Sequence, residues 1–438
     1  MKYTYKQIWL ITYPVMMSVL MEQLINITDA IFLGHVGETE LGASAIAGIY
    51  YLAMYMLGFG FSLGLQVLIA RRNGEQKYPE TGKTFFQGLY FLILLAVILI
   101  TLSKLLSPYI MQKLITSPEV YNAVMDYTVW RSFGLLFAFP ALAFRAFLVG
   151  SIKTKILTVN ALVMVFTNII LNYCLIFGCA GFPALGISGA AIASTLSEMV
   201  SLIIFILYLV FRMQKKQYGL TPCFDAGILF QLFRLSSWSM LQAFTGVAPW
   251  FLFFIAIEQL GKNQLAIANM IRSISTLFFV IVSSLATTTA SLVSNLIGAG
   301  KDSEIFPLCM KIIRLGYYTG FPLIILAFIF RDQILGIYTS NGLLIKDAFW
   351  PFVLMLSNYL FAVPSYIYCN AVTGTGRTKT TFTFQLITII FYLGYLYLIS
   401  NYSMASLPVY WLAEHLYVII LLGLSYIYLK KCGWQKEL

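Results

Sequence analysis

Leu136-Phe137-Ala138-Phe139-Pro140 and, 224 positions later, Leu360-Phe361-Ala362-Val363-Pro364 are near copies of one another. The same offset carries Gly37 onto Gly261, Leu41 onto Leu265 and Gly74 onto Gly298. It also carries Gly150, Thr154 and Lys155 onto Gly374, Thr378 and Lys379. One offset that serves landmarks throughout both halves marks a long internal repeat. The repeated unit is mostly apolar, so two homologous bundles in a membrane are expected, with a substrate path at the repeat interface.

With 60% hydrophobic residues, 10% charged residues and a mean hydropathy of +0.84, this chain of 438 residues is too apolar for water. Its formal charge of +11 is dispersed through short connections between apolar runs and forms no groove or stripe, which argues against nucleic acid as a partner. The six cysteines, at 174, 179, 223, 309, 369 and 432, show neither paired nor metal-ligand spacing, so no disulfide framework or zinc site is expected. The first apolar segment is too long for a signal peptide and lacks a small-residue cleavage site, so it reads as a span.

Apolar segments long enough to cross a membrane occur at about 7–33, 42–70, 84–105, 121–147, 155–178 and 186–211, then at about 228–260, 264–297, 303–330, 345–372, 380–400 and 406–430. The expected fold class is all-α integral membrane: twelve transmembrane helices in two parallel six-helix repeats, an N-lobe and a C-lobe, around a central cleft. The N-lobe covers 1–211 and the C-lobe 228–438. A cytoplasmic linker, 212–227, holds Lys215, Lys216 and the turn formers Gly219 and Pro222. Alternate connections, beginning with Lys2 and Lys6 and ending with Lys430, Lys431 and Lys436, hold 21 of the 28 Lys and Arg, Arg145 counted among them. The positive-inside rule then places both termini in the cytoplasm.

An ionised carboxylate deep in a bilayer is costly, which makes each one a functional candidate. Asp29 lies roughly 7 Å from the outer end of span 1, Asn172 roughly 9 Å from that of span 5, and Ser194 roughly 12 Å into span 6, at 1.5 Å per residue. Asn168 is one turn below Asn172 on the same face. Asp29, Asn168, Asn172 and Ser194 can therefore surround one cation with oxygen atoms, as Na+ requires, or Asp29 can hold a proton. Interhelical hydrogen bonding is the plainer role for the two asparagines and the serine. Glu22 shares a helix face with Asn26 and Asp29, and Glu198 joins Ser194, Ser197 and Ser201 in a polar stripe. Glu22 and Glu198 complete the candidate ion-coupling set and make the first lobe unusually acidic.

In the second lobe the polar inventory is Gln242, Asn269, Arg272, Asn358, Gln385, Glu414 and His415. Arg272 and Glu414 lie at equal depth, so an ion pair is expected between them. Substrate-cavity candidates are Asn26, Tyr55, Gln242, Asn269, Arg272 and Glu414, with aromatic residues such as Tyr50, Tyr51, Trp250, Phe251 and Phe278 available for flat cations. Pro14, Pro140 and Pro364 are hinge candidates, since each removes a backbone hydrogen bond inside a span. The segment Gly374-Thr375-Gly376-Arg377-Thr378-Lys379-Thr380 lacks the spacing of a phosphate-binding loop, so no nucleotide is expected.

Asn26-Ile27-Thr28-Asp29-Ala30-Ile31-Phe32-Leu33-Gly34 resembles the first-helix signature of the multidrug and toxic compound extrusion transporters. Asn168-Ile169-Ile170-Leu171-Asn172-Tyr173 and Gly186-Ile187-Ser188-Gly189-Ala190-Ala191-Ile192-Ala193 resemble segments of the same family, in the same order and spacing. The resemblance implies a rocker-switch antiporter that expels amphipathic, often cationic, organic compounds in exchange for protons or sodium ions. It also implies that Asp29, Asn168, Asn172 and Ser194 match the family's first-lobe cation site. Gly246 and Val363 stand where one branch of the family carries second-lobe coupling carboxylates, and Asn172 stands where another carries an aspartate.

The expected function is thus a secondary active exporter of amphipathic, cationic small molecules, with H+ or Na+ as coupling ion and no other cofactor or metal. It would act as a monomer among membrane lipids in a bacterial cytoplasmic (inner) membrane. The alternative is a flippase for lipid-linked oligosaccharide or lipid. Cavity arginines would favour that alternative, and at membrane depth the sequence offers little beyond Arg272. An intramembrane enzyme would need a nucleophile–base pair or a metal cluster, and the sequence displays neither.

Overall fold

Stretches of 20 or more apolar residues without a hydrogen-bonding alternative in lipid have to satisfy their backbone internally, and helices do so within one segment. The structure, a computed structural model, describes residues 3–179, 181–339, 341–401 and 406–431. Lys2, Lys436 and Cys432 lie outside the described residues. Among the described residues there are helices and turns and no strand.

In the first repeat the helices are α1 (Tyr5–Val36), α2 (Glu38–Gly74), α3 (Tyr78–Leu114), α4 (Pro118–Phe133), α5 (Leu135–Gly150), α6 (Lys155–Phe177) and α7 (Gly186–Phe211). A short helix, α8 (Lys215–Tyr218), lies in the linker. The second repeat has α9 (Ala226–Thr245), α10 (Ala248–Glu258), α11 (Lys262–Gly298), α12 (Ile305–Ile329), α13 (Arg331–Gly336), α14 (Gly342–Asp347), α15 (Phe349–Gly374), α16 (Thr378–Ser400) and α17 (Leu407–Lys431). Eleven segments are long and apolar enough to span a membrane, and α4 with α5 makes a twelfth, bent by 44°. The twelve expected spans are all present; α2, α3 and α11 extend past the expected bounds at both ends, whereas α12 and α15 begin later than expected.

The bend in span 4 corrects one expectation. Pro140 lies inside α5, and the break falls six residues earlier, at Gly134. A Cβ at Gly134 would collide with the Arg131 guanidinium and stand 2.5 Å from a Glu198 carboxylate oxygen, so the absent side chain leaves room for that charged pair. Pro14 and Pro364 lie inside unbroken helices, α1 and α15. Span 7 breaks at residues 246–247, immediately before Pro249 in the first turn of α10, where a missing N–H is harmless.

The internal repeat extends to the conformation of single residues. The turns after α2, α5, α11 and α15 place Gln76, Ile152, Gly300 and Gly376 at φ 61°, 61°, 68° and 89°, and residues 76 and 152 are 224 positions before 300 and 376. Lys77, Lys153 and Lys301 then donate their backbone N–H groups to Arg72, Leu148 and Leu296 at 3.0, 2.8 and 2.9 Å, closing the helix ends. Glycine takes this left-handed conformation in the second repeat. In the first, Gln76 and Ile152 carry a Cβ there at a cost of about 1–2 kcal/mol each.

Two units divide the chain: Tyr13–Ala243, and Met1–Thr12 with Phe244–Leu438. In the first unit the linker is pinned to α3. Tyr218 is buried against Tyr78 and Phe147, and Gln87 donates to the Cys223 carbonyl at 2.8 Å and accepts from the Asp225 N–H at 3.2 Å. In the same unit α9 lies against α2 at Gly60 and Gly64, where a Cβ would collide with the Ser239 carbonyl and with Ser236. The second unit is cored by Phe253, Ile257, Ile271, Phe352, Tyr392 and Trp411, and Lys311 donates to the Tyr3 carbonyl at 2.9 Å.

Candidate functional site

The floor of the site is set by glycine. A Cβ at Gly189 would lie 2.5 Å from the Leu175 carbonyl oxygen, so α7 approaches the backbone of α6 closely, as small residues allow in lipid. That approach brings Ser194 of α7 to Asn168 of α6, whose Nδ2 donates to Ser194 Oγ at 3.1 Å. Asn172, one turn on, donates to Asn168 Oδ1 at 3.0 Å and to Asp29 Oδ1 at 2.5 Å. Ser194 Oγ donates to Asp29 Oδ2 at 2.9 Å. Asp29, Asn172, Asn168 and Ser194 thus form a closed ring of hydrogen bonds across α1, α6 and α7.

Equal depth along three spans, read from the sequence, corresponds to direct contact in the structure. Asn168 and Asn172 are fully buried, and Asn172 Oδ1 has no hydrogen-bond partner. Asp29 receives only neutral donors. The ring therefore holds a carboxylate without a bonded cation and, beside it, one free amide oxygen. That donor set suits a proton or a small hard cation.

Glu198 and Glu22 have partners that the sequence reading missed. Arg131 Nη2 and Nη1 donate to the two oxygens of Glu198 at 2.6 and 2.9 Å, with side-chain exposures of 13% and 16%. The guanidinium also lies 3.7 Å over the ring of Tyr51, whose hydroxyl donates to Glu198 at 3.2 Å. Arg145 donates to Glu22 at 2.8 Å. Arg145 is thus a partly buried residue of α5 and not one of the loop charges, and the first lobe carries two arginines at membrane depth. The serine stripe divides accordingly: Ser194 serves Asp29, Ser201 accepts from Asn160 at 2.7 Å, and Glu198 turns to Arg131.

Summed over this region, three carboxylates meet two guanidiniums, which leaves the single negative charge of Asp29. The expected acidic excess of the first lobe shrinks to that one residue. Along α2, Tyr51, Tyr55 and Phe59 stack at 6.2 and 6.5 Å between ring centroids, an aromatic ladder that begins at the Arg131–Glu198 pair. Asn26 is exposed on α1. Tyr50 packs against the cluster around Leu33, Val124 and Ala190 and belongs to the core.

In the second unit the expected Arg272–Glu414 pair is not formed. The Arg272 guanidinium lies 4.9 Å over the ring of Phe254, and Glu414 accepts from Tyr392 at 2.9 Å. His415 turns away from Glu414 to meet Ser357 at 2.9 Å. Asn269 is exposed and donates to the Leu265 carbonyl of its own helix at 3.1 Å. Gln242, half-buried on α9, belongs to the first unit. Val363, at a position where the resemblance places a carboxylate in one branch, is fully buried. Among the described residues no group of three or more His, Cys, Asp or Glu could hold a metal, and the five described cysteines are free.

Two repeats of six spans, with a polar ring buried at membrane depth in the first, define a multi-pass membrane transporter. A model of the MatE family matches residues 14–174 and 243–425, most of the chain, and the chain belongs to that family. Probable multidrug resistance protein NorM of Agrobacterium fabrum is 27% identical over 266 residues, 59% of this chain and 56% of that protein. The match thus spans just over half of that relative's length. Multidrug resistance protein NorM of Vibrio cholerae is 24% identical over 343 residues, 76% of this chain and 74% of that protein. Among solved structures, an outward-facing multidrug resistance MATE family transporter aligns with a TM-score of 0.89 over 99% of this chain and 97% of that one, at 18% identity. A MOP superfamily transporter from Pyrococcus furiosus aligns at 0.86 over 98% and 97%, at 19% identity. At these identities the likeness is one of fold.

Proposed function

We propose that this protein is a multidrug efflux antiporter that exports amphipathic organic compounds in exchange for H+ or Na+, with Asp29 as the ion carrier and a rocker-switch alternation of the two lobes. The observation that carries this reading is the ring around Asp29. A half-buried carboxylate in a membrane helix with only neutral donors is poised to take up a cation and to change its contacts when it does. Substrate and ion must favour different orientations of the transporter for exchange to occur, and loading Asp29 supplies that difference. Both termini would be cytoplasmic, in a bacterial cytoplasmic membrane.

Arg131 and Arg145 reopen the flippase alternative, for which cavity arginines are the expected mark. Each is held by a carboxylate, however, so neither offers an unpaired charge to a phosphate headgroup. A preference for cationic cargo now rests on Asp29 alone. Reconstituted protein should accumulate ethidium when a proton or a sodium gradient is imposed separately, and Asp29→Asn should fold yet lose gradient-driven uptake. Normal coupling in Asp29→Asn would sink the assignment of the carrier, and scrambling of lipid without ethidium transport would favour the flippase.

A further inference from the structure

Glu414 is an acidic residue of the spans that the proposed mechanism leaves unused and that, unlike Glu22 and Glu198, has no arginine partner. It lies about 11 Å along α17 from the Leu407 end, at 1.5 Å per residue. Tyr392 of α16, fully buried, donates to its Oε1 at 2.9 Å. Among the described residues no lysine, arginine or histidine forms an ion pair with it. Its titratable neighbours are phenols: Tyr392, packed edge-on against Tyr417 at 5.9 Å, Tyr417 of α17 and Tyr366 of α15. Cys369 of α15 adjoins Tyr366 and Tyr417. His415, next in sequence, is engaged with Ser357, and Arg272 lies over Phe254.

An ionised carboxylate at this place would have one hydroxyl donor and no counter-charge, a state that costs several kcal/mol in a low-dielectric interior. The neutral acid avoids that cost and can still accept from Tyr392. The surrounding groups also select the ligand. The ring around Asp29 offers amide and hydroxyl oxygens to a metal ion, whereas the titratable groups around Glu414 are phenols, which are poor ligands for sodium. Two further buried polar atoms, Trp411 Nε1 one turn before Glu414 and Asn358 Oδ1 on α15, have no hydrogen-bond partner. α15 and α17 thus retain unused donor and acceptor capacity.

We propose that Glu414 is a second proton-carrying group of this transporter, loaded and discharged separately from Asp29. In the discharge step the O–H bond of the Glu414 carboxyl breaks, its electron pair stays on the carboxylate, the proton passes to water, and Tyr392 holds the anion by its hydroxyl. The inference shares the premise of ion-coupled transport but does not depend on Asp29.

Infrared spectroscopy of the full chain in lipid bilayers tests it directly. A protonated-carboxyl C=O absorption should be present at neutral pH, vanish in Glu414→Gln, persist in Asp29→Asn, and shift in Tyr392→Phe, which keeps the acid but removes its donor. Proton-driven ethidium transport by Glu414→Gln should move fewer protons per ethidium, by about one, with an altered pH profile. No change in the carboxyl absorption of Glu414→Gln, or an unchanged proton count, overturns the proposal. Should Glu414→Gln fail to fold, a Tyr392→Phe spectrum identical to that of the wild type does the same. Loss of the Asp29 effect alone would sink only the earlier assignment.

Discussion

The guanidinium of Arg131 and the carboxylate of Glu198 meet through two parallel hydrogen bonds, 2.6 and 2.9 Å long, in the interior of the first unit. Breaking such a buried pair leaves one charge uncompensated. Glu198→Gln should therefore lower stability by about 3–5 kcal/mol, seen as a fall in the melting temperature of the detergent-purified protein. Replacing both residues by methionine should recover most of that loss. A double substitution as damaging as the sum of the single ones would show that the pair contributes no coupling.

Gly134 gives way to the same pair, since a Cβ there would collide with Arg131 and crowd Glu198. Two of the colliding groups are ends of flexible side chains and the third is the Arg131 carbonyl oxygen, 2.9 Å away, so Gly134→Ala should fold with the pair displaced and the bend slightly adjusted, at a cost of about 1–3 kcal/mol. Most of the cost should disappear when Arg131 and Glu198 are both methionine, the contact with the residue-131 carbonyl remaining. An undiminished penalty in that background would place the constraint in the backbone bend instead.

Gln76 is exposed and holds φ 61°, whereas its counterpart in the second repeat is Gly300 at φ 68°. Gln76→Gly removes the Cβ from a left-handed position without loss of packing. It should raise stability by about 1 kcal/mol, and Gly300→Gln should lower it by a similar amount. Thermal denaturation of the two variants should give shifts of opposite sign.

Lys113 and Lys216 are both exposed, on α3 and α8. If both termini are cytoplasmic, a cysteine at 113 should react with an impermeant maleimide in intact cells, and one at 216 only after permeabilisation. The reverse pattern would invert the topology.

Depth was legible in the sequence, and rotation about the helix axis was not. A fixed rise per residue turns span boundaries into depth, which is why Asp29, Asn172 and Ser194 could be placed together before their contacts were seen. The same reasoning failed for Arg272 and Glu414, which share a depth but face different neighbours, Phe254 and Tyr392. Arg131 stood inside the expected span 121–147, and a lone cation there was itself the signal that Glu198 had a partner. In the sequence Arg145 reads as a loop charge because Lys153 and Lys155 follow it closely. The break at Gly134 was hidden because proline advertises a kink in sequence, while a glycine that yields space to another helix's side chain does not.

The seam between α2 and α9 is held shut by less than its closeness implies. Gly60 and Gly64 offer bare backbone, so at these two positions α2 presents no side chain to α9. On the facing helix the Ser236 and Ser239 hydroxyls are buried without hydrogen-bond partners, a penalty of about 1–3 kcal/mol each that water would relieve on separation. In the alternation proposed above, wetting of these two hydroxyls would favour opening at this seam.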